Sequence, residues 1–140
     1  MRFKSYRMVV VGTVFLLGIT SCSGGDGIAA IDRDATSEDQ LPPYVLTQHL
    51  KLDSVRRVAE QDEVAYFISK RDVTNGFCVI RTKGQDETAW GTGCGTGTGR
   101  VITNSTTGIS EAVTLVTDGY ATDDLEKDDW TKISENLLIR

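Results

Sequence analysis

Val64-Ala-Tyr-Phe-Ile-Ser69, Phe77-Cys-Val-Ile-Arg-Thr82 and Thr88-Ala-Trp-Gly-Thr-Gly-Cys94 decide the fold. In the first, Val64, Tyr66 and Ile68 alternate with Ala65, Phe67 and Ser69, and the run is rich in residues that suit a pleated, packed surface. Asp72 to Gly76 separates it from the second and contains Asn75-Gly76, a dipeptide that closes hairpins because it tolerates positive φ. Lys83-Gly-Gln-Asp-Glu87 turns the chain again before the third. The pattern predicts an antiparallel meander of three neighbouring strands.

Working outward toward the C-terminus, glycine stands at every second position from Gly91 to Gly99. A phosphate cradle needs glycines at Gly-x-Gly-x-x-Gly spacing between a strand and a helix, so that backbone amides reach the oxygens. Here the x-x step is missing and the following Val101-Ile-Thr103 reads as a strand. The run therefore reads as a flexible loop, or as a strand whose alternate face another backbone crosses closely. Strands are expected at about 101–104 and 112–117, a turn at Asp118-Gly119, an acidic loop from Asp123 to Asp129, and a last strand near Asn136–Arg140. Toward the N-terminus, residues 55–59 read as a strand, in preference to a helix capped by Asp53-Ser54. Leu41, Tyr44 and Val45 after Pro42-Pro43 fit a short helix from Pro43 to about His49. The fold class is mainly β, with α+β as the alternative. The expected architecture is one small antiparallel sheet or partly closed barrel carrying a short N-terminal helix.

The first residues carry Arg2, Lys4 and Arg7 and no acid, and an apolar run follows from Met8 to about Ile19. This is the charged start and apolar middle of a signal peptide. The run is short for a spanning helix, which needs about 20 residues. Ile19-Thr20-Ser21-Cys22 resembles the bacterial lipobox. The resemblance covers residues 1–22 and implies diacylglyceryl transfer to the Cys22 thiol and cleavage between Ser21 and Cys22. It divides the chain into a lipoprotein signal peptide (1–21), a flexible tether rich in Gly, Ser and acids (22–40) and a small β-rich domain (41–140). The tether's one apolar cluster, Ile28-Ala-Ala-Ile31, could dock or form a helical turn. The expected location is the extracytoplasmic face of a cell membrane.

Two further expectations follow from that resemblance. With Cys22 committed to lipid, only Cys78 and Cys94 remain, and an isolated pair outside the cytoplasm is expected to oxidise. The meander would bring them onto neighbouring strands. Of 15 basic side chains, Arg2, Lys4 and Arg7 leave with the signal; the remaining 12 face 20 acidic ones, a formal charge of −8. Such a body argues against nucleic acid and against charge-driven lipid binding, so attachment is expected to rest on the acyl chains.

The mature part also resembles small actinobacterial envelope lipoproteins of unassigned function. The likeness lies in Asp53-Ser-Val-Arg56, the Val64–Ser69 strand, Phe77-Cys-Val-Ile80 and Trp90-x-x-Gly93-Cys94-Gly95. It continues in Val113-Thr-Leu-Val-Thr-Asp118-Gly119 and Ser134-Glu-Asn-x-x-Ile139-Arg140. It implies a compact β-rich domain with a Cys78–Cys94 bridge, and no reaction.

Candidate chemistry is sparse. His49 is the single histidine and has no second His or Cys at metal-ligand spacing. Asp118, Asp123, Asp124, Glu126, Asp128 and Asp129 lack the spacing of a calcium loop and read as a solvated face. Cys78 and Cys94 stand too far apart for a Cys-x-x-Cys redox motif. Asn104-Ser-Thr106 matches a glycosylation sequon, which carries no weight in a bacterial-type lipoprotein. Trp90, Trp130, Tyr66 and Phe67 could line a groove but read first as core. The expected function is a lipid-anchored, non-catalytic binding or scaffolding module with an envelope protein as partner, no cofactor and no metal. The alternatives are solute capture in an aromatic groove and an envelope hydrolase.

Overall fold

The computed structural model describes residues 27–106 and 108–140. The structure is mainly β, but with two sheets rather than one and no closed barrel. The first sheet runs β1 (Arg56–Gln61), β2 (Val64–Lys70), β3 (Phe77–Lys83) and β4 (Trp90–Gly95), each antiparallel to its neighbour. The second contains β5 (Arg100–Thr106), β6 (Ile109–Val116), β7 (Thr131–Lys132) and β8 (Leu137–Ile139), in the order β5-β6-β8-β7. The meander read from residues 64–94 is present, and residues 56–61 extend it by one strand. Asp62 and Glu63 close the first hairpin with φ of 51° and 67°, the left-handed pair that a two-residue turn requires.

Strand alternation sorts the side chains of the first sheet. Val64, Tyr66, Ile68 and Val79 point between the sheets and meet Val101, Ile109, Val113, Leu115, Leu137 and Ile139. Phe67, Cys78 and Ile80 point the other way, where Val45, Leu50 and Val55 cover them. The second sheet has its own outer cluster of Val116, Leu125, Trp130 and Leu138. Leu125 comes from the helix α1 (Asp123–Lys127), so part of the expected acidic loop is helical. Its acids lie in the first turn, which favours them against the helix dipole.

Three expectations about the N-terminal part are corrected. No helix forms between Pro43 and His49. The Val45 N–H bonds the Pro42 carbonyl at 3.1 Å and the Leu50 N–H bonds the Thr47 carbonyl at 2.9 Å, as isolated turns. Leu41, Tyr44, Val45 and Leu50 find cover by lying along the outer face of the first sheet, which a flat chain achieves as well as a helical stripe. Residues 27–40 are folded onto the domain rather than serving as a tether. Ile28 precedes and Ile31 ends a 3₁₀ turn at Ala29–Ile31, and each is 3 % exposed in the core between the sheets. Asp39 is buried and its carboxylate closes a capping box with Thr36. The domain thus takes in residues 27–40 as well as those from Leu41 onward; residues 22–26 of the expected tether and the whole signal segment lie outside the described residues.

Candidate functional site

Cys78 and Cys94 are direct partners across β3 and β4, and their sulfurs are bonded at 2.02 Å. The bridge lies on the outer side of the first sheet, packed against Phe67, Ile80 and Val55. Its position follows from the register alone, because the turn at 83–89 sets Thr82 against Trp90 and hence Cys78 against Cys94. Ser21 and Cys22 lie outside the described residues.

The glycine run is a strand, not a cradle. Gly91, Gly93 and Gly95 turn their missing side chains toward β5. A Cβ on Gly93 would lie 2.6 Å from the Asn104 side-chain nitrogen, and one on Gly95 would collide with the Val101 carbonyl. Beyond the strand, Gly97 and Gly99 take φ of +103° and +79° and let the chain swing into the second sheet. The glycines serve a close backbone approach.

Two open hollows flank this seam. One, of about 440 Å³, is lined by Leu46, Gln48, His49, Leu50, Arg71, Trp90, Gly91, Thr92 and Cys94. It sets an aromatic face and a half-buried β4 beside several hydrogen-bonding side chains. Its lining residues include no carboxylate, so His49 has no acid there to orient it as a base. The other, of about 890 Å³, lies between the Asp72–Gly76 turn and the Gly97-Thr98 loop. Lys51, Lys70 and Arg71 line it together with Asp72, an unusual gathering of cations on so acidic a chain. Lys70 also reaches Asp32 at 3.3 Å.

The remaining candidates are structural. Trp130 is 4 % exposed, with the guanidinium of Arg140 at 4.8 Å and that of Arg100 at 5.5 Å from its ring centre. Tyr66 and Phe67 are core, whereas Trp90 is half-buried at the rim of the smaller hollow. Among the described residues, no group of three or more His, Cys, Asp or Glu side chains could hold a metal ion.

Asp39, Arg56 and Arg81 are charged side chains buried in the fold whose burial the sequence reading did not anticipate. Asp39 accepts hydrogen bonds from both terminal nitrogens of Arg33 (2.8 and 2.6 Å), from the Thr36 N–H and hydroxyl, and from the Arg57 N–H at 2.7 Å. The Arg33 bonds, supported by the Thr36 and Arg57 amides, hold its carboxyl well below the usual carboxylate range against the opposing effect of burial. Arg81 is 0 % exposed between the sheets. Its Nη1 donates to the Glu111 carbonyl, while its Nε and Nη2 have no partner among the described residues. Burial pushes its pKa down; nearby Tyr66 and Glu111 act the other way. The alternation that places Phe77 and Val79 on the inner face also places Arg81 there, which is the signal that could have found it.

Compared with family models, with curated proteins and with solved structures, the chain finds no match. What the geometry defines is a disulfide-stapled domain of two antiparallel sheets, with open hollows beside the glycine strand.

Proposed function

We propose that the chain is a lipid-anchored extracytoplasmic protein whose two-sheet domain binds or scaffolds a partner at the cell envelope without catalysis. The observation that carries this reading is the order of Arg2-Phe-Lys4, the apolar run and Ile19-Thr20-Ser21-Cys22, which sets a thiol where an acylated lipoprotein begins. The Cys78–Cys94 bond supports an oxidising compartment. A histidine hollow lined by no carboxylate gives no support to a hydrolase. Two acyl chains, at about 0.8 kcal/mol per buried CH₂, suffice for stable attachment. Expressed in a bacterial host, the protein should fractionate with membranes and Cys22→Ala should move it to the soluble fraction. A Cys22→Ala protein still wholly in the membrane would overturn the anchor.

A second reading, solute capture, is favoured by one observation: Trp90, His49, Gln48 and Thr92 converge on the 440 Å³ hollow. Native mass spectrometry of envelope-purified protein would then show a small-molecule adduct that Trp90→Ala abolishes. An adduct-free spectrum of the unaltered protein speaks against capture.

A further inference from the structure

Resting on the lipid-anchor reading, we infer that the domain sits on the membrane in one orientation. The end bearing Gly27 faces the lipid, and the Lys51, Lys70 and Arg71 groove meets phospholipid headgroup phosphates. The first reason is the length of the leash. Five residue steps separate Cys22 from Gly27, which reach at most about 18 Å fully extended. Gly27 is itself fixed: its carbonyl accepts the Asp118 N–H at 2.9 Å, and Asp118 accepts the Ala29 N–H at 2.7 Å. Ile28 and Ile31 then enter the core. A domain of this length is about 30 Å or more across, so so short a leash keeps its far end away from the bilayer.

The registers show what shares the leash end. Lys70 pairs with Phe77 and Phe77 with Gly95, so the Asp72–Gly76 turn and the Thr96–Gly99 loop emerge side by side. Gly99 and Thr117 exchange bonds at 2.9 and 2.8 Å, next to Asp118 and Gly27. Between these loops lies the cation-lined groove. The same end presents Val73, 80 % exposed, and Tyr120, 38 % exposed, side chains that suit the boundary between headgroups and acyl chains. The opposite end, where Gln61 pairs with Val64 and Val64 with Lys83, carries Asp62, Glu63, Asp86 and Glu87 on its turns against Lys83 alone.

Acids also set the tilt. Asp118 at this end accepts the Ala29 N–H and the Asn136 amide, Asp32 holds Lys70 and Asp72 lines the groove, which leaves a modest cationic excess in the groove itself. Asp123, Asp124 and Glu126 of α1 lie over the outer face of the second sheet. An anionic surface therefore meets the first-sheet side of the leash end and repels the α1 side. The acidic body that discourages charge-driven recruitment is no obstacle once acyl chains hold the groove at the surface.

The test is hydrogen exchange read by mass spectrometry on the acylated, full mature protein. It is run in vesicles of phosphatidylglycerol with phosphatidylcholine, and in phosphatidylcholine alone. On the anionic vesicles, amides of 73–76 and 96–98 should exchange about tenfold more slowly than in the lipid-free domain. Those of 85–88 and 124–129 should be unchanged. Lys51→Gln with Arg71→Gln should restore exchange to within about twofold of the lipid-free rate, and Lys51→Gln alone, an exposed change, should move it partway. Both variants should still float with the vesicles. Floating protein with no protection at 73–76, or with equal protection at both ends, overturns the orientation and leaves the anchor standing. Protein that does not float overturns the anchor and the orientation with it. Inorganic phosphate giving the soluble domain the same protection would assign the groove to free anions and overturn its headgroup assignment.

Discussion

Replacing Gly95 by alanine tests whether the glycine strand exists to let β5 approach. The added Cβ would collide with the Val101 carbonyl and stand 3.2 Å from the Ile102 Cβ. A backbone carbonyl cannot rotate away as a side chain can, so β4 and β5 must separate. Forcing one methyl into a packed site costs typically 1–3 kcal/mol, and the rigid neighbour puts Gly95→Ala near the top, at about 3 kcal/mol. For a domain of this size that is a fall of roughly 12 °C in Tm. Gly93→Ala meets only the Asn104 side chain, which can swing aside, and should cost about 1 kcal/mol. Gly97→Ala meets nothing within 4 Å but holds φ of +103°, so its cost of about 1 kcal/mol would come from backbone conformation. Urea denaturation followed by circular dichroism ranks the three, with the m-value checking that the transition stays two-state. A Gly95→Ala protein within about 0.5 kcal/mol of the parent, or less affected than Gly93→Ala, would refute the close-approach argument.

Other perturbations test separate parts of the fold. Arg81→Met, which removes a buried cation with two nitrogens unpartnered among the described residues while keeping the chain's bulk, should be neutral or stabilising by about 1 kcal/mol; a loss above about 2 kcal/mol in the same denaturation assay would show that the guanidinium is satisfied. Cys78→Ser with Cys94→Ser opens a loop of 16-residue separation and should cost about 3 kcal/mol, read as a lower Tm that reducing agent no longer changes. Asp39 has a folded pKa below its unfolded one near 3.9, so its stabilisation is complete above about pH 4 and is lost as pH falls through the folded value. Thermal melts from neutral to acid pH should therefore show a smaller acid loss in Asp39→Asn than in the parent; parallel curves would exclude Asp39 as a source of the acid sensitivity.

The first sheet was legible because two local signals agreed there. Period-2 alternation in Val64–Ser69 and the turn at Lys83–Glu87, where Gly84 takes φ of +53°, mark the strands and their register; Asn75-Gly76 marks the loop between β2 and β3, but neither residue takes the positive φ expected of that dipeptide. The disulfide inherits that certainty. β5, β6 and β8 of the second sheet were also visible one by one, but neither the two-residue β7 nor the insertion of β8 between β6 and β7, since pairing between distant segments leaves no local mark. The stretch 23–40 misled because composition averages over residues. Its acids and glycines suggest a tether, yet Ile28 and Ile31 reach the core and Asp39 gathers bonds from Arg33, Thr36 and Arg57. Those few contacts outweigh the ordering entropy that composition alone suggests would prevail. Leu41, Tyr44 and Val45 fit a helical stripe and a chain lying flat on a sheet equally, and the sheet's outer face decided between them. The hollows were illegible because their walls come from the 46–51 segment, the 71–76 turn, β4 and the 97–98 loop, which meet only in the folded molecule.

β4 has a consequence for timing. Beyond Trp90 at its start, β4 is three glycines, one threonine and Cys94, and these bring little oily surface to the sheet that hydrophobic burial builds. Yet β5 packs directly along it, so the two halves of the molecule cannot close until it is seated. The sulfur bond to β3 is what fastens it. Without that bond, β4 is held by its backbone ladder to β3 and its packing against β5. On the proposed export route, oxidation of the pair, and with it this fastening, would follow translocation.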